Sequence, residues 1–336
     1  MLRRLLAAAL GTLLLFGTAQ AEIYKAETMN PGNAPHALMV KMGALAGREA
    51  GIRIQVNDGQ TLSSATLKLA SGRIDFATVP PPVYQFMSQG QAMFAELGER
   101  AIAASKNLRA VHSFLGGAFH PIVYADSGIA SFEDLRGKTV FTGPPSGGAS
   151  RQIEDFLEIV AGLKAGEDYE AVRMGWGAGL QAMMDGALDA MFSASSIGSA
   201  NIEQLGLTRD IRLLGLSQAQ IDSGRFDGFL SVPGRAFDLI EPGTYSGQVN
   251  EEAVTVPMFV MISATRAGID ADVVYQVTRA QWEHIDEVQA TSKSLARVSL
   301  DNAFQALNMP LHVGAYRYYI EQGISVPERL RPPEAK

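Results

Sequence analysis

Short apolar runs rich in β-branched residues alternate along the chain with longer stretches of helical periodicity. That alternation predicts a layered α/β protein with a largely parallel sheet in each of its parts. Strands are predicted at residues 23–28, 52–57, 76–79, 122–125, 139–142, 169–174, 190–193, 211–216 and 255–263. Helices are predicted at 36–50, 61–71, 83–89, 148–161, 179–185, 195–205 and 271–287. In the last of these Val273, Val274, Val277, Ala280 and Trp282 share one apolar face, and Asp272 sits at a capping-type start.

One local pattern occurs twice. The stretch from Leu69 through Gly72 and Asp75 to Thr78, and that from Met184 through Gly186 and Asp189 to Ser193, both read as helix, glycine stop, turn, aspartate, buried strand. The glycine supplies the left-handed residue that ends a helix. Each strand then runs into a special segment: Pro80, Pro81 and Pro82 after the first, Ser193, Ser195 and Ser196 after the second. Ligands of open α/β sheets sit beyond the carboxyl ends of strands, so two such units predict two parts facing one cleft.

A third strand end carries the most chemistry. Residues 141–150 run from a strand through Gly143, Pro144, Pro145, Ser146, Gly147 and Gly148 into a helix. Glycines let a ligand approach the backbone, and free N–H groups at a helix start favour a carboxylate or phosphate. Thr142, Ser146 and Ser150 could orient it; a plain serine-capped turn would have the same sequence. The loop is not a P-loop, because no Lys-Ser/Thr pair follows the last glycine. Gly175, Gly177 and Gly179 do not make a dinucleotide fingerprint either, since the third glycine falls one position early. Trp176 among them reads as a cleft wall or a core residue.

The amino terminus changes the expected compartment. Arg3 and Arg4, an apolar run over residues 5–17 and the Ala19-Gln20-Ala21 site have the form of a cleaved secretory signal. The run is shorter than the ~20 residues of a spanning helix. A periplasmic protein with no direct membrane insertion is therefore expected. The chain has no cysteine, so neither a lipid anchor on cysteine nor a disulfide framework is expected. Loss of Arg3 and Arg4 leaves 26 basic against 35 acidic residues. Such a balance without basic clusters argues against nucleic acid and anionic membrane surfaces as partners. It does not exclude an anionic ligand held by one buried arginine or a helix start, and Arg151 and Arg173 are the candidates by position.

His36, His112, His120, His284 and His312 are scattered, without metal-ligand spacing, and no G-x-S-x-G elbow is present. No metal, cofactor or catalytic constellation is expected, which favours binding over chemistry.

At this point the sequence resembles the TAXI family, the extracytoplasmic solute receptors of TRAP transporters. The resemblance runs over nearly the whole mature chain. It is carried by residues 125–138 ahead of the glycine loop, by Gly143 to Gly148, and by the narrow P-G-T-Y-x-G-Q segment from Pro242 to Gln248. Residues 254–257 and 310–319 also fit. The resemblance implies a type II periplasmic binding protein, two Rossmann-like lobes joined by two crossover strands. Lobe I would be residues 22–119 with 256–336, and lobe II residues 120–255. It implies a monomer that captures a small organic solute, an organic acid or amino-acid-like molecule, and docks on a TRAP-type membrane component. Two loops depart from the family. Where it has a Gly-Ser-Thr-Gly-Gly loop this chain has Gly32, Asn33, Ala34, Pro35 and His36, and Pro80 to Pro82 replace a usual Gln or Asn.

The expected ligand contacts are Gly32, Asn33, His36, Pro80, Thr142, Ser146, Gly147, Gly148, Trp176, Ser195 and Tyr245. Backbone N–H groups of residues 146–148 would hold an anionic or carbonyl end, Asn33 and His36 would read a polar group, and Trp176 would wall the pocket. Two other functions use the same residues: a ligand-sensing subunit of a signalling system, and an enzyme with His36 or His120 acting beside the serines of residues 193–196.

Overall fold

A computed structural model describes residues 22–145 and 148–335. The predicted signal segment, residues 1–21, lies outside the described residues, as do Ser146 and Gly147. Among the described residues the strands are β1 (Ile23–Glu27), β2 (Arg53–Asn57), β3 (Phe76–Val79), β4 (Leu108–Tyr124), β5 (Thr139–Gly143), β6 (Glu170–Arg173), β7 (Ala190–Ser195), β8 (Ile211–Leu213), β9 (Arg235–Ile240) and β10 (Val254–Arg266). The helices are α1 (Ala34–Ala50), α2 (Leu62–Ala70), α3 (Pro81–Gln89), α4 (Glu99–Ser105), α5 (Gly148–Ala161), α6 (Trp176–Met184), α7 (Ala200–Thr208), α8 (Gln218–Asp222), α9 (Asp227–Leu230), α10 (Ala271–Glu283), α11 (Ile285–Ala290) and α12 (Val313–Glu321).

The strands form one sheet in the order β2-β1-β3-β10-β4-β7-β5-β6, with β8 on β4 and β9 on β10. At one end β1 pairs in parallel with β2 and β3; at the other β5 pairs in parallel with β6 and β7. Each end is thus a parallel trio with its first strand in the middle. The long antiparallel pair β4 and β10 joins them. The α/β fold with two similar parts and two crossover strands is therefore as the sequence predicts.

Each long strand changes partner part-way. β4 pairs with β10 through Leu115 and with β7 from Ala118. β10 pairs with β9 through Phe259 and with β4 from Val260. The change in β4 needs Gly116 and Gly117. A Cβ on Gly116 would stand 2.4 Å from Met261 Cγ, and one on Gly117, at φ +142°, 2.4 Å from the Ser195 carbonyl oxygen. A side chain would collide with the packed Met261 and Phe259 side chains at the first position and with the β7 backbone at the second.

Helices cover the sheet with regular apolar stripes. Leu38, Met39, Met42, Leu45 and Ala46 of α1 are buried at helical spacing, and Gly51 at φ +67° ends the helix. Ile153, Phe156, Leu157 and Val160 do the same on α5. β4 and β10 are buried along almost their whole length, as strands covered on both faces must be.

Several boundaries differ from the sequence expectation. The strand expected at 122–125 is only the end of β4, and β9 was not expected. The helix expected from residue 195 starts at Ala200, because Ser195 still belongs to β7 and Ser199 caps the helix by accepting from the Asn201 N–H. The helix expected from 179 starts at Trp176. The predicted 271–287 helix breaks at His284 (φ −119°, ψ 35°) into α10 and α11. No described helix is long and apolar enough to cross a membrane.

Candidate functional site

The carboxyl ends of the strands from both trios converge on one cavity of about 80 Å³. Met29 follows β1, Gln60 to Ser63 follow β2, and Pro80, Pro82 and Val83 follow β3. From the other side come Pro144, Gly148, Ala149 and Gln152 after β5, Trp176 after β6 and Ala194 near the end of β7. Phe119 of β4 and Phe259, Val260 and Met261 of β10 complete the lining, at the places where those strands change partner. Strand ends are where an α/β sheet leaves room for a ligand, and two facing sets of them make a cleft.

The walls are mostly apolar. Phe119 and Phe259 lie with ring centroids 5.1 Å apart. The Trp176 ring stands edge-on to Phe141 at 5.6 Å, so the tryptophan is braced by the core of its own half. The prolines of the β3 loop open α3: Pro80 precedes it and its carbonyl accepts from the Val83 and Tyr84 N–H groups. Proline suits a helix start, where an N–H would have no partner, and it presents no donor to the cavity.

The lining residues among those described are Gln60, Thr61, Ser63 and Gln152 as polar groups and otherwise apolar ones; none ionises. Gln152 is 6% exposed and its Nε2 has no partner. Gln60 accepts from Lys68 Nζ at 3.3 Å, and that ammonium also reaches both oxygens of Glu27 at 2.8 and 3.0 Å.

Across the cavity the two sets of loops touch. Ser196 Oγ accepts from the Ala34 N–H at 2.9 Å, which gives α1 a cap that its own preceding residue does not provide. A Cβ on Gly148 would stand 3.0 Å from Val83 Cγ2, and one on Gly32 3.2 Å from Asn201 Nδ2.

Of the residues expected to contact a ligand, Pro80, Gly148 and Trp176 line the cavity. Ser146 and Gly147 lie outside the described residues. Gly32 is an exposed residue at φ +88° beside Asn201. Asn33 is buried with Oδ1 unpartnered, and His36, half-buried in the first turn of α1, has an unpartnered buried Nδ1; neither lines the cavity. Thr142 is turned away and donates to Glu154 Oε1 at 3.1 Å. Ser195 Oγ lies 2.8 Å from Ser193 Oγ.

Tyr245 belongs to the core of the β7 side rather than to the cavity. Its hydroxyl lies 2.8 Å from His120 Nε2 and accepts the Gly198 N–H at 2.9 Å. His120 Nδ1 faces the carbonyls of Ala118 and Ser193, so it carries the proton and Nε2 accepts from the tyrosine. Burial pulls the His120 imidazole down to about 4 and raises the Tyr245 phenol, so both are neutral near pH 7. With both nitrogens engaged in this way, His120 meets a serine only through the Ser193 carbonyl. The arginines suggested as anion clamps are committed elsewhere: Arg151 to Asp155 at 2.8 Å and Arg173 to Glu154 at 2.7 Å.

Sequence reasoning did not name Gln60, Thr61, Ser63 or Gln152, nor Met29, Phe119, Phe259 and Met261. The apolar ones lie on or beside strands, where a cavity-lining side chain has the same pattern as a core one. Gln152 had a usable signal: a glutamine on the apolar face of α5 beside Ile153 and Phe156, next to the glycine loop.

Among solved structures, the chain is similar to a TRAP periplasmic solute-binding protein from Sulfitobacter sp. NAS-14.1 with bound β-D-galacturonate. That similarity is 12% identity over 90% of this chain and 95% of that one, with a TM-score of 0.47. A TRAP solute-binding protein from Ralstonia eutropha H16 with bound (S)-2-acetolactate is 12% identical over 91% and 86%, with a TM-score of 0.47. The alkanesulfonate-binding protein of Xanthomonas axonopodis pv. citri, bound to MOPS, is 13% identical over 92% and 96%, with a TM-score of 0.49. Residues 30–323 match the NMT1-like family, and the chain belongs to it.

Proposed function

We propose that the chain is a periplasmic solute-binding receptor, exported by the segment at residues 1–21, that captures a small organic solute and delivers it to a TRAP-type membrane component. The observation that carries this reading is the cavity built from the strand ends of both trios, with its floor on the two strands that join them. A cavity so placed opens and closes if the trios rotate about β4 and β10. The lobes of this proposal are residues 22–119 with 256–336 and residues 120–255, so the partner changes near Gly117 and Val260 fall at the hinge. The P-G-T-Y-x-G-Q segment supports the TAXI type of receptor and the TRAP partner.

Pro80, Gly148 and Trp176 hold the solute with Gln60 and Gln152. Asn33 and His36, on the segment that leaves Met29, offer unpartnered atoms to a solute longer than the cavity. The test is thermal unfolding of residues 22–336 against organic acids, amino acids and amides. A ligand of the folded state raises Tm with concentration. Trp176→Ala should weaken the binding of the hit about tenfold or more, the usual scale for an aromatic anchor. Folded protein whose Tm no compound moves would defeat the receptor reading. Delivery is tested by solute uptake into proteoliposomes holding a TRAP-type membrane component, which should require the receptor.

A further inference from the structure

We infer that the solute is uncharged and mostly apolar, with one hydrogen-bond acceptor directed at the Gln152 amide; this rests on the cavity being the solute site. The described lining contains no ionisable side chain. The cations nearest to it along the chain are already engaged. Lys68 binds Glu27, Arg151 binds Asp155 and Arg173 binds Glu154. Arg235, which faces Phe259 across β9 and β10, is buried over the Phe229 ring at 4.5 Å and lies 3.9 Å from Asp155, with its Nε unpartnered. It does not line the cavity. A carboxylate enclosed here would leave water without gaining a counter-charge, and apolar contacts do not compensate for that.

The same walls suit a neutral body. Phe119, Phe259, Met261 and Trp176 offer apolar and aromatic surface, and the prolines of the β3 loop offer no N–H. Among the side chains of the described lining one donor is left over: Gln152 Nε2, nine-tenths buried and unpartnered. Orphaned buried donors are rare in folded proteins, and one in a ligand cavity marks where an acceptor atom belongs. The amino end of α5 lies on the same side, with Gly148 and Ala149 in the lining. Its partial positive charge favours any acceptor oxygen, a carbonyl or a carboxylate, so the choice between them rests on the missing side-chain counter-charge. An amide, ketone, lactone or similar carbonyl on an apolar frame meets all of these conditions.

The test uses pairs that differ in charge but little in shape: phenylacetamide against phenylacetate, and hexanamide against hexanoate. Binding to residues 22–336 is measured by calorimetry and thermal shift. The amide of a pair should bind at least tenfold more tightly than its acid. Gln152→Leu should weaken the amide about tenfold and leave the acid unchanged. Gln152→Met, which keeps the length of the side chain and removes the donor, should do the same, so the test survives if the leucine variant folds poorly. Arg235→Met should leave the amide unaffected. Acids that bind as tightly as their amides, or that lose affinity in Arg235→Met, overturn the inference while leaving the receptor reading intact. If neither member of either pair binds folded protein, the inference fails; the receptor reading then fails with it only if the wider compound screen is also silent.

Discussion

Residues 69–82 and 184–196 fold alike up to the ends of their strands and then part company. In the first, α2 ends at Gly72 (φ +73°) and Asp75 clamps the neighbouring strand, its N–H donating to the Lys25 carbonyl and its Oδ2 accepting the Lys25 N–H at 2.9 Å. In the second, α6 ends at Gly186 (φ +73°) and Asp189 treats Thr139 in the same way, again at 2.9 Å. The first strand continues into three prolines, whereas the second ends in Ser193 and Ser195, which bond to each other, and is followed by Ser196, which bonds to α1. The shared part fixes where a strand ends, and the part that differs decides what the cavity meets there. Prolines make an apolar wall without donors; the serines, although polar, spend their hydroxyls inside the protein.

The largest test of this comparison is acid. Burial holds His112 and His120 near 4, and His312 likewise, against an ordinary 6.5. His112 and His312 belong to the β1–β3 side, packed against α10 and the start of α12, while His120 alone serves the β7 side. Each imidazole is neutral in the fold and takes up a proton more readily when unfolded. Its contribution is therefore whole above pH 6.5 and is lost as the pH falls towards 4. A shift of that size is worth roughly 3 kcal/mol per group. Urea unfolding at pH 7, 5.5 and 4.5 should show stability falling by several kcal/mol. Hydrogen exchange should show the β1–β3 side losing protection first. Equal loss on both sides would mean that the halves unfold as one unit and the comparison has no energetic content.

Exchanging the two aspartates sharpens the comparison at smaller scale. Asp75 has a further partner, Arg266 Nη2 at 2.8 Å on Oδ1, in a largely buried pair. Asp189 has only the backbone N–H. Asp75→Ala should therefore cost about 2–3 kcal/mol, leaving a half-buried guanidinium without its carboxylate, and Asp189→Ala about 1 kcal/mol. Denaturant midpoints of the two variants give the difference directly. Equal losses would show that Arg266 finds another acceptor.

The framework of this fold was legible in the sequence and the cavity much less so. The repeated helix-glycine-aspartate-strand pattern placed both strand ends, because left-handed glycines and apolar runs leave a signature that local sequence carries. β4 was recognised only from Ile122, since Gly116, Gly117 and Pro121 punctuate a strand that is buried on both faces and so does not alternate. β9, a partly exposed strand at the margin of the sheet, has no alternation either. Tyr245 lies in the most distinctive segment of the chain, yet its hydroxyl serves the core through His120 and Gly198. The rarest motif marks a fold anchor, while Phe119, Phe259 and Met261, ordinary strand residues, form the cavity floor.

The smallest expected effect tests a bond that joins the serine unit to α1 across the cavity. Ser196 Oγ accepts the first N–H of α1 and also donates to the Gly116 carbonyl at 3.3 Å, where β4 changes partner. Ser196→Ala removes a cap from a helix whose preceding Asn33 makes no side-chain cap, so a loss of about 1 kcal/mol is expected. If the trios rotate as proposed, the bond exists only when the two sets of loops are together, and its loss falls on that closed form. A solute that binds the closed form should then bind several-fold more weakly, with little change in the protection of either strand trio. Small-angle scattering of the solute-free variant should show a larger radius of gyration than the parent. If affinity and radius both stay the same while Tm drops, Ser196 caps α1 without influencing closure, and the serine unit is as passive towards the solute as its internal hydrogen bonds suggest.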